Sequence, residues 1–406
     1  MVFENAQEMI NKVSDIMNLS EKEKELLVTH KSIKHDEIEV DGKKYPAWRI
    51  IHNNALGPGK GGIRYHLGVS EDEVKSLSFW MSLKNSLSGL PFGGAKGGVK
   101  VNPKELDQKQ IEKISRAWVN SFHEVIGQDK DIPAPDVYTN PQVMSWMLDE
   151  FEKIKNRHEP GFITGKPLGL GGCPLRADST SKGGYIIIDE LVTLHKLNKK
   201  DITIAIQGFG NAGWNIAKFL YKNGYKVIAV SDSKGGILSE EGLNIFDVRK
   251  TKDEKRTVIE HEGKKISNAE ILELDVNILI LAALENQITQ ENADSIKAKY
   301  ILELANGPVN PKADKILHSK QKIVVPDILA NSGGVVGSYF EWVQNKTGQI
   351  FQEEFLEKRF SERMKESFNK VHTEFEERKR EYDMRTISYI IAIKRILEAE
   401  KLRGNL

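Results

Sequence analysis

The second half of the chain alternates short apolar runs with segments of helical length. The runs are rich in Ile, Val and Leu, and they lie at residues 202–206, 227–230, 277–282, 300–304 and 323–325. Continuous apolar runs of this length are typical of parallel strands covered on both faces. The pattern therefore predicts a doubly wound, Rossmann-type α/β domain.

The first part of the chain has a mixed pattern. Ser70 followed by Glu73 predicts a capping box that opens a helix. Other local signals predict a hairpin at Asp41-Gly42, a strand near residues 99–101 and helices after Asp107 and Asn140. Beyond residue 344 the chain is charged and helical, with an apolar stripe that includes Ile387, Ile390 and Ile391.

These patterns predict an α/β protein of two domains. Residues 1–180 are expected to form a mixed α/β domain for substrate binding and oligomerisation, and residues 181–344 the dinucleotide-binding domain. Residues 345–406 are expected to form helices that pack back on the first domain.

Charge and cysteine content favour small-molecule chemistry. In 406 residues, Lys and Arg total 59 and Asp and Glu total 58, so nothing electrostatic favours nucleic acid or a membrane surface. Cys173 is the single cysteine, which excludes internal disulfides and a cysteine-based zinc site, and it is interpreted as a packing residue. We expect no metal site and a cytoplasmic location, since the N-terminus lacks a signal peptide pattern.

A glycine-rich turn follows the first apolar run. It reads Gly208-Phe209-Gly210-Asn211-Ala-Gly213 and opens a predicted helix. In this context the first glycine permits the tight turn, the second admits a pyrophosphate and the third lets helix and strand pack closely. A glycine turn without ligand is the alternative.

Cofactor preference stays open at the tip of the next strand. Asp232 is placed to accept hydrogen bonds from the adenosine ribose of NAD. Ser231, Ser233 and Lys234 flank it and could hold the 2′-phosphate of NADP. Either NAD or NADP is therefore compatible with this segment.

Three lysines in the first part have unusual surroundings. Lys60 and Lys96 lie in the glycine-rich segments at residues 57–62 and 93–98, and Lys84 continues an apolar helical stripe. Glycines allow backbone and ligand to approach closely, so we expect a pocket for a carboxylate substrate. The alternatives are that Lys84 snorkels to the surface and that Lys96 contacts a phosphate or backbone.

Several motifs together resemble the glutamate, leucine, phenylalanine and valine dehydrogenase family, and most closely the archaeal-type glutamate dehydrogenases. They are residues 57–66, Lys84-Asn-Ser, residues 93–98, residues 131–136, residues 176–180 and the glycine-rich turn at residues 208–213. The resemblance covers nearly the whole chain. It implies reversible NAD- or NADP-dependent oxidative deamination of L-glutamate to 2-oxoglutarate and ammonium, by a homohexamer.

The resemblance also implies roles for individual residues. Lys96 would activate water, Asp136 would shuttle protons, and Lys84 would bind the α-carboxylate. Lys60 and Ser338 would bind the side-chain carboxylate, which favours glutamate over apolar amino acids. A plain helix-capping role is the alternative for Asp136.

Around the nicotinamide, the resemblance implies contacts from Arg176, Thr180 and Asn306, with Asn331 near the substrate. Loop capping is the alternative for the last three. The chain departs from commoner family members at Cys173-Pro174 and at residues 178–181. Another amino-acid dehydrogenase, and a regulatory subunit that has lost turnover, are the competing interpretations.

Overall fold

The structure is a computed structural model that describes residues 2–176 and 178–406, and the side chains of residues 7–175 and 178–406. It divides into two compact units. The first unit comprises residues 1–177, 335–358 and 389–406, and the second comprises residues 178–334 and 359–388. Two α/β units, with C-terminal residues 389–406 in the first, agree with the predicted fold class. Residues 359–388, which were expected on the first domain, group with the second unit instead.

The helices and strands follow one another in this order. Residues up to 177 form α1 (Val2–Met17), α2 (Glu21–Val28), β1 (Ser32–Val40), β2 (Lys43–Asn53), β3 (Gly59–Tyr65), α3 (Glu71–Leu87), β4 (Gly94–Val99), α4 (Gln108–Phe122), β5 (Asp131–Pro135) and α5 (Pro141–Lys155). Next come α6 (Ser179–Leu194), β6 (Thr203–Gln207), α7 (Asn211–Lys222), β7 (Lys226–Asp232), β8 (Gly235–Leu238), α8 (Ile245–Lys255), β9 (Lys264–Ile266), β10 (Ile278–Leu281), β11 (Tyr300–Glu303), α9 (Pro311–Ser319), β12 (Ile323–Val325) and α10 (Asp327–Ala330). The chain ends with α11 (Gly333–Thr347), α12 (Glu353–Glu377) and α13 (Met384–Leu402).

The first unit is built on a mixed sheet in the order β1-β2-β4-β3-β5. The predicted hairpin joins β1 and β2, with Asp41 at φ 52° and Gly42 at φ 74°, as a tight two-residue turn requires. Strands β3, β4 and β5 are parallel to one another. Helices α4 and α5 pack on the sheet through a core that includes Trp118 and Phe151.

Two local predictions in this unit need correction. The strand expected near residues 99–101 lies earlier, at Gly94–Val99, so the glycine-rich segment around Lys96 is itself a sheet strand. Ser70 caps α3 by accepting from the Glu73 amide at 3.2 Å. The Glu73 carboxylate pairs with Arg64 instead of completing a capping box.

The second unit is a seven-stranded sheet in the order β12-β11-β10-β6-β7-β8-β9. The five strands β12, β11, β10, β6 and β7 are parallel and match the five predicted apolar runs. The antiparallel strands β8 and β9 were not predicted, because they are short and carry a weaker apolar signal. Strand order reverses between β6 and β10, the place where such sheets bind ligands at their carboxyl ends.

The C-terminal stripe is buried as predicted, with Ile387, Ile390 and Ile391 at most 4% exposed. In the part of the chain that the structure describes, no helix combines the length and apolarity needed to cross a bilayer.

Candidate functional site

Lys96 and Asp136 form the centre of a partly buried charged cluster in the first unit. Lys96 lies on β4 and Asp136 directly follows β5, while β3 runs between these strands. Lys96 Nζ is 3.1 Å from Asp136 Oδ1. Arg64 Nε donates to Asp136 Oδ2 at 2.8 Å, and the Arg64 guanidinium also donates to Glu73 at 2.6 Å. One carboxylate is therefore held between two cations from adjacent strands.

Strand register brings these side chains together. Ile63 of β3 pairs with Gly97 of β4 and with Pro135 of β5, so Lys96 and Asp136 each lie one residue from a partner of Ile63. A Cβ atom on Gly62 would lie 2.8 Å from the Cβ of Asp136, which is too close for any side chain. Glycine at position 62 thus leaves room for Asp136 beside Lys96.

The environment shifts the pKa of both groups. Burial lowers the pKa of Lys96; the charge of Asp136 opposes that shift, and the charge of Arg64 adds to it. Burial alone would raise the pKa of Asp136, but Lys96 and Arg64 outweigh it and hold that pKa below its ordinary value. The pair can therefore present an ionised carboxylate next to an amine that releases its proton more readily than a solvated lysine.

Lys60 is a buried cation on β3 whose contacts include three oxygen acceptors. Its side chain is 1% exposed. Nζ donates to Thr164 Oγ1 at 2.8 Å and to the carbonyls of Pro133 and Ile132 at 3.3 and 3.4 Å. These contacts hold the ammonium against β5 and Thr164 in the interior of the first unit.

A second buried ion pair fixes the strands around Lys60. Arg49 of β2 and Asp131 at the start of β5 are both at most 1% exposed, and Arg49 Nε donates to Asp131 Oδ2 at 2.6 Å. The same guanidinium donates to the Gly61 carbonyl at 3.0 Å. Through these contacts Arg49 joins β2 to β3 and β5, next to Lys60.

The glycines beside the lysines serve packing within the protein. A Cβ on Gly61 would lie 1.6 Å from the Ala95 carbonyl oxygen, and one on Gly94 would lie 2.1 Å from the Ser82 amide nitrogen. Strand β3 thus approaches β4, and β4 approaches α3, more closely than side chains allow. The expectation that these glycines make room for a ligand is wrong at both positions.

Lys84 and Ser338 also lie in the first unit. Lys84 is half-buried in the last turn of α3, at the edge of the deeply buried face that contains Phe79 and Leu83. The next residue, Asn85, donates to the Gly93 carbonyl at 2.6 Å and so joins α3 to the segment before Lys96. Ser338 lies on α11 and is 2% exposed.

The glycine-rich turn has the predicted strand–turn–helix geometry in the second unit. It joins β6 to α7, and Gly208 adopts φ +92°, which favours glycine. A Cβ on Gly213 would lie 1.7 Å from the Gly208 carbonyl oxygen, whereas one on Gly210 would meet nothing within 4 Å. Gly213 therefore serves helix packing, and Gly210 leaves an open approach to the amino end of α7.

The side chains of this turn differ in their exposure. Asn211 is exposed, and its Oδ1 accepts from Asn215 at 3.0 Å. Phe209 is fully buried, so only its backbone can face a ligand. The open glycine, the exposed amides and the helix amino end suit a pyrophosphate of NAD or NADP.

Asp232 ends β7, where it was predicted, but its carboxylate is already well supplied with donors. Oδ1 accepts from the Lys234 amide at 3.0 Å and from Thr257 Oγ1 at 3.1 Å. Oδ2 accepts from the Val258 amide at 2.9 Å and lies 3.3 Å from Lys252 Nζ. Burial alone would raise the pKa of Asp232, yet these partners lower it. Ser233 is exposed beside it.

Of the residues predicted around the nicotinamide and the substrate, Thr180, Asn306 and Asn331 lie in the second unit, whereas Arg176 belongs to the first. Thr180 is half-buried in the first turn of α6. Asn331 Nδ2 donates to Asn306 Oδ1 at 2.8 Å, so these two residues, which were assigned to different ligands, are direct neighbours. The side chain of Arg176 lies outside the described residues.

Sequence reasoning missed Arg64, Arg49 and Thr164. Arg64 lies inside the motif at residues 57–66, and it is four residues from Lys60 on the same strand. Alternation along a strand would have placed both side chains on one face. Thr164 carries no such signal, because it lies 104 residues from its partner Lys60.

Comparison with known proteins gives the following similarities. Residues 25–153 match the Glu/Leu/Phe/Val dehydrogenase dimerisation domain, and residues 171–404 match the Glutamate/Leucine/Phenylalanine/Valine dehydrogenase family. An NADP-specific glutamate dehydrogenase of Synechocystis is 45% identical over 372 residues, which cover 89% of this chain and 86% of the relative. A cryptic catabolic NAD-specific glutamate dehydrogenase of Bacillus subtilis is 41% identical over 406 residues, which cover 99% of this chain and 94% of the relative.

A solved structure has the same fold. The hetero-hexameric glutamate dehydrogenase of Thermus thermophilus, in a leucine-bound form, superposes with a TM-score of 0.91 at 30% identity, and the match covers 99% of this chain and 97% of that one.

Proposed function

We propose that this chain, which belongs to the glutamate, leucine, phenylalanine and valine dehydrogenase family, catalyses reversible NAD(P)-dependent oxidative deamination of L-glutamate. L-glutamate, water and NAD(P)⁺ become 2-oxoglutarate, ammonium, NAD(P)H and a proton. The observation that carries the proposal is the pairing of buried Lys96 with Asp136, in the same unit as the buried cation of Lys60.

Substrate binding is assigned to the first unit. Lys60 and Ser338 would hold the side-chain carboxylate, and Lys84 would hold the α-carboxylate. Lys60 favours glutamate because its buried ammonium could pair with a side-chain carboxylate, which an apolar substrate lacks. Two fixed contacts to the substrate carboxylates would orient its Cα–H bond for hydride transfer to the cofactor.

Proton transfers are assigned to Lys96 and Asp136. The bound cofactor supplies a hydride acceptor for the substrate Cα. Asp136 would take a proton from the substrate amine, and neutral Lys96 would take one from the water that attacks the resulting imine carbon. The 3.1 Å between their side chains lets a proton pass directly from one group to the other.

Dinucleotide binding is assigned to the second unit. The turn from Gly208 to Gly213 would hold the pyrophosphate, and Asp232 with Ser233 would lie beside the adenosine ribose. Arg176, Thr180 and Asn306 would surround the nicotinamide, with Asn331 near the substrate. The preference between NAD and NADP stays open, since relatives of both kinds are similar to this chain. The proposed assembly is a homohexamer.

The test of the proposed reaction is a set of initial rates for glutamate, leucine and valine, each with NAD⁺ and with NADP⁺. Glutamate should have the highest kcat/KM with at least one cofactor. Lys96→Ala should lower kcat by roughly 10²–10⁴-fold while the dinucleotide still binds. Lys100→Ala is the matched control, because Lys100 is an exposed lysine just beyond the same strand. A higher kcat/KM for leucine or valine, or normal turnover in Lys96→Ala, would contradict the proposal.

A further inference from the structure

Two histidines and a glutamate meet in the second unit, and none of them is among the residues assigned above. His195 directly follows α6, while His372 and Glu376 lie four residues apart on α12 and so share one helix face. One ligand atom from each side chain falls within 4.8 Å of the other two. We propose that His195, His372 and Glu376 form a binding site for a divalent transition metal ion, with Zn²⁺ as the best fit.

The separation of the two imidazole nitrogens matches a tetrahedral ion. Zn²⁺ binds imidazole nitrogen at about 2.0–2.1 Å, and two ligands at the tetrahedral angle are then about 3.3–3.4 Å apart. The Nε2 atoms of His195 and His372 are 3.3 Å apart, and His372 Nε2 is 3.7 Å from Glu376 Oε1. The imidazole planes are inclined at 83° with ring centroids 5.3 Å apart.

The chemistry of the three groups also suits such an ion. Two imidazoles and one carboxylate, with a water in the fourth position, are a common ligand set for Zn²⁺ and disfavour Mg²⁺ and Ca²⁺. Solvent still reaches the cluster, since the side chains of His372 and Glu376 are 14% and 37% exposed.

Arg380 competes with the ion for the carboxylate. Its guanidinium donates to Glu376 Oε1 at 2.7 Å, and its Nε lies 3.1 Å from both carboxylate oxygens. Removing Arg380 would therefore free the ligand and remove a nearby positive charge. An imidazole–imidazole hydrogen bond without a metal is the competing interpretation, and it predicts no change in metal affinity on losing Arg380.

Occupancy of the site would join the end of α6 to α12. A ligand that binds only the folded state raises the temperature of unfolding. We therefore expect Zn²⁺ to raise the unfolding temperature of the protein, and Mg²⁺ at the same concentration to have no effect.

The experiment uses the untagged full-length protein after chelator treatment. Competition with a chromophoric chelator measures Zn²⁺ affinity and stoichiometry, and Co²⁺ absorption reports tetrahedral coordination. One Zn²⁺ per chain is expected, with at least tenfold weaker binding in His195→Gln, His372→Gln and Glu376→Gln. Arg380→Gln should bind more tightly than the wild type. His318→Gln, a histidine on α9 outside the cluster, is the matched control.

Two results would overturn the proposal. One is the absence of stoichiometric Zn²⁺ binding by the folded wild-type protein. The other is affinity that persists in a folded double variant of His195 and His372 to Gln. Tighter binding in Arg380→Gln does not depend on the stability of the ligand variants, so a poorly folded ligand variant leaves the proposal testable. Unchanged affinity in folded Arg380→Gln would count against it.

Discussion

Replacing Lys60 by leucine should change the substrate preference of the enzyme. The proposed role of Lys60 is to pair with the side-chain carboxylate of glutamate, whereas norvaline has a side chain of similar length without that charge. Lys60→Leu removes the ammonium and substitutes a shorter, apolar side chain. The change is confined to a strand position whose backbone pairs with Ile132 of β5.

The expected magnitude follows from burial. Because the lysine is 1% exposed, water cannot replace it as a partner for the substrate carboxylate. Removing one partner of a buried ion pair costs about 3–5 kcal/mol. At about 1.4 kcal/mol per tenfold, kcat/KM for glutamate should fall by roughly two to almost four powers of ten. Norvaline should change by less than about tenfold, since it loses no charged contact.

The assay is the ratio of kcat/KM for glutamate to that for norvaline in each variant. Thr164→Val is the matched control, because it keeps the charge of Lys60 and removes only the hydroxyl that accepts from Nζ at 2.8 Å. One hydrogen bond to a charged group is worth about 1.5–3 kcal/mol, so this control should lose less glutamate activity than Lys60→Leu. Adding Ser338→Val to Lys60→Leu should shift the ratio further towards norvaline.

Equal losses of kcat/KM for glutamate and norvaline in Lys60→Leu would refute the proposed pairing of Lys60 with the substrate side chain. In that outcome Lys60 supports the fold or contacts both substrates alike. Thermal unfolding of the variant provides the structural check. Lys60→Leu leaves three buried acceptors without their donor, so some fall in the unfolding temperature is expected, and the kinetic comparison is made where the variant stays folded.

Three further predictions concern other charged groups. Arg64→Gln removes a cation that lowers the pKa of Lys96, so the ascending limb of the pH profile of kcat/KM should move to higher pH. Glu73→Gln, which changes a partner of Arg64, should leave that limb in place. A shift of the limb to lower pH in Arg64→Gln would contradict this prediction. Asp232→Ser should raise the kcat/KM for NADP relative to that for NAD, and an unchanged ratio would show that other residues choose the cofactor. The same change should lower the unfolding temperature, because four donors lose their acceptor. Arg385→Met removes the cation that pairs with the fully buried Glu303 and with Asp314 and Asp327, and it should cost about 3–5 kcal/mol of stability, measured by denaturant unfolding. A cost below about 1 kcal/mol would show that this cluster matters little.

The features that the sequence predicted well are those whose physics is local. Ser70, Asp107 and Asn140 each accept from an amide three residues later, so short segments suffice to predict where α3, α4 and α5 begin. The turn from Gly208 to Gly213 is likewise defined by adjacent residues. The five parallel strands were found because a strand buried on both faces must be apolar throughout.

Tertiary structure decided the features that depend on distant segments. Gly61 is required by Ala95, and Gly94 by Ser82, so their role in packing is not visible in either glycine-rich segment alone. The Glu73 carboxylate pairs with Arg64 rather than with the backbone amide of Ser70, because β3 passes beside the start of α3.

The two sites differ in the same way. Residue types and motifs pointed to Lys96 and Asp136, but only strand register shows that Arg64 joins them and holds the aspartate ionised. His195 and His372 are 177 residues apart, and no local pattern links them. The sequence determined which backbone segments form and which chemistry they carry, because those depend on neighbouring residues. Only packing determined which charges meet, because that depends on where distant segments are placed by the fold.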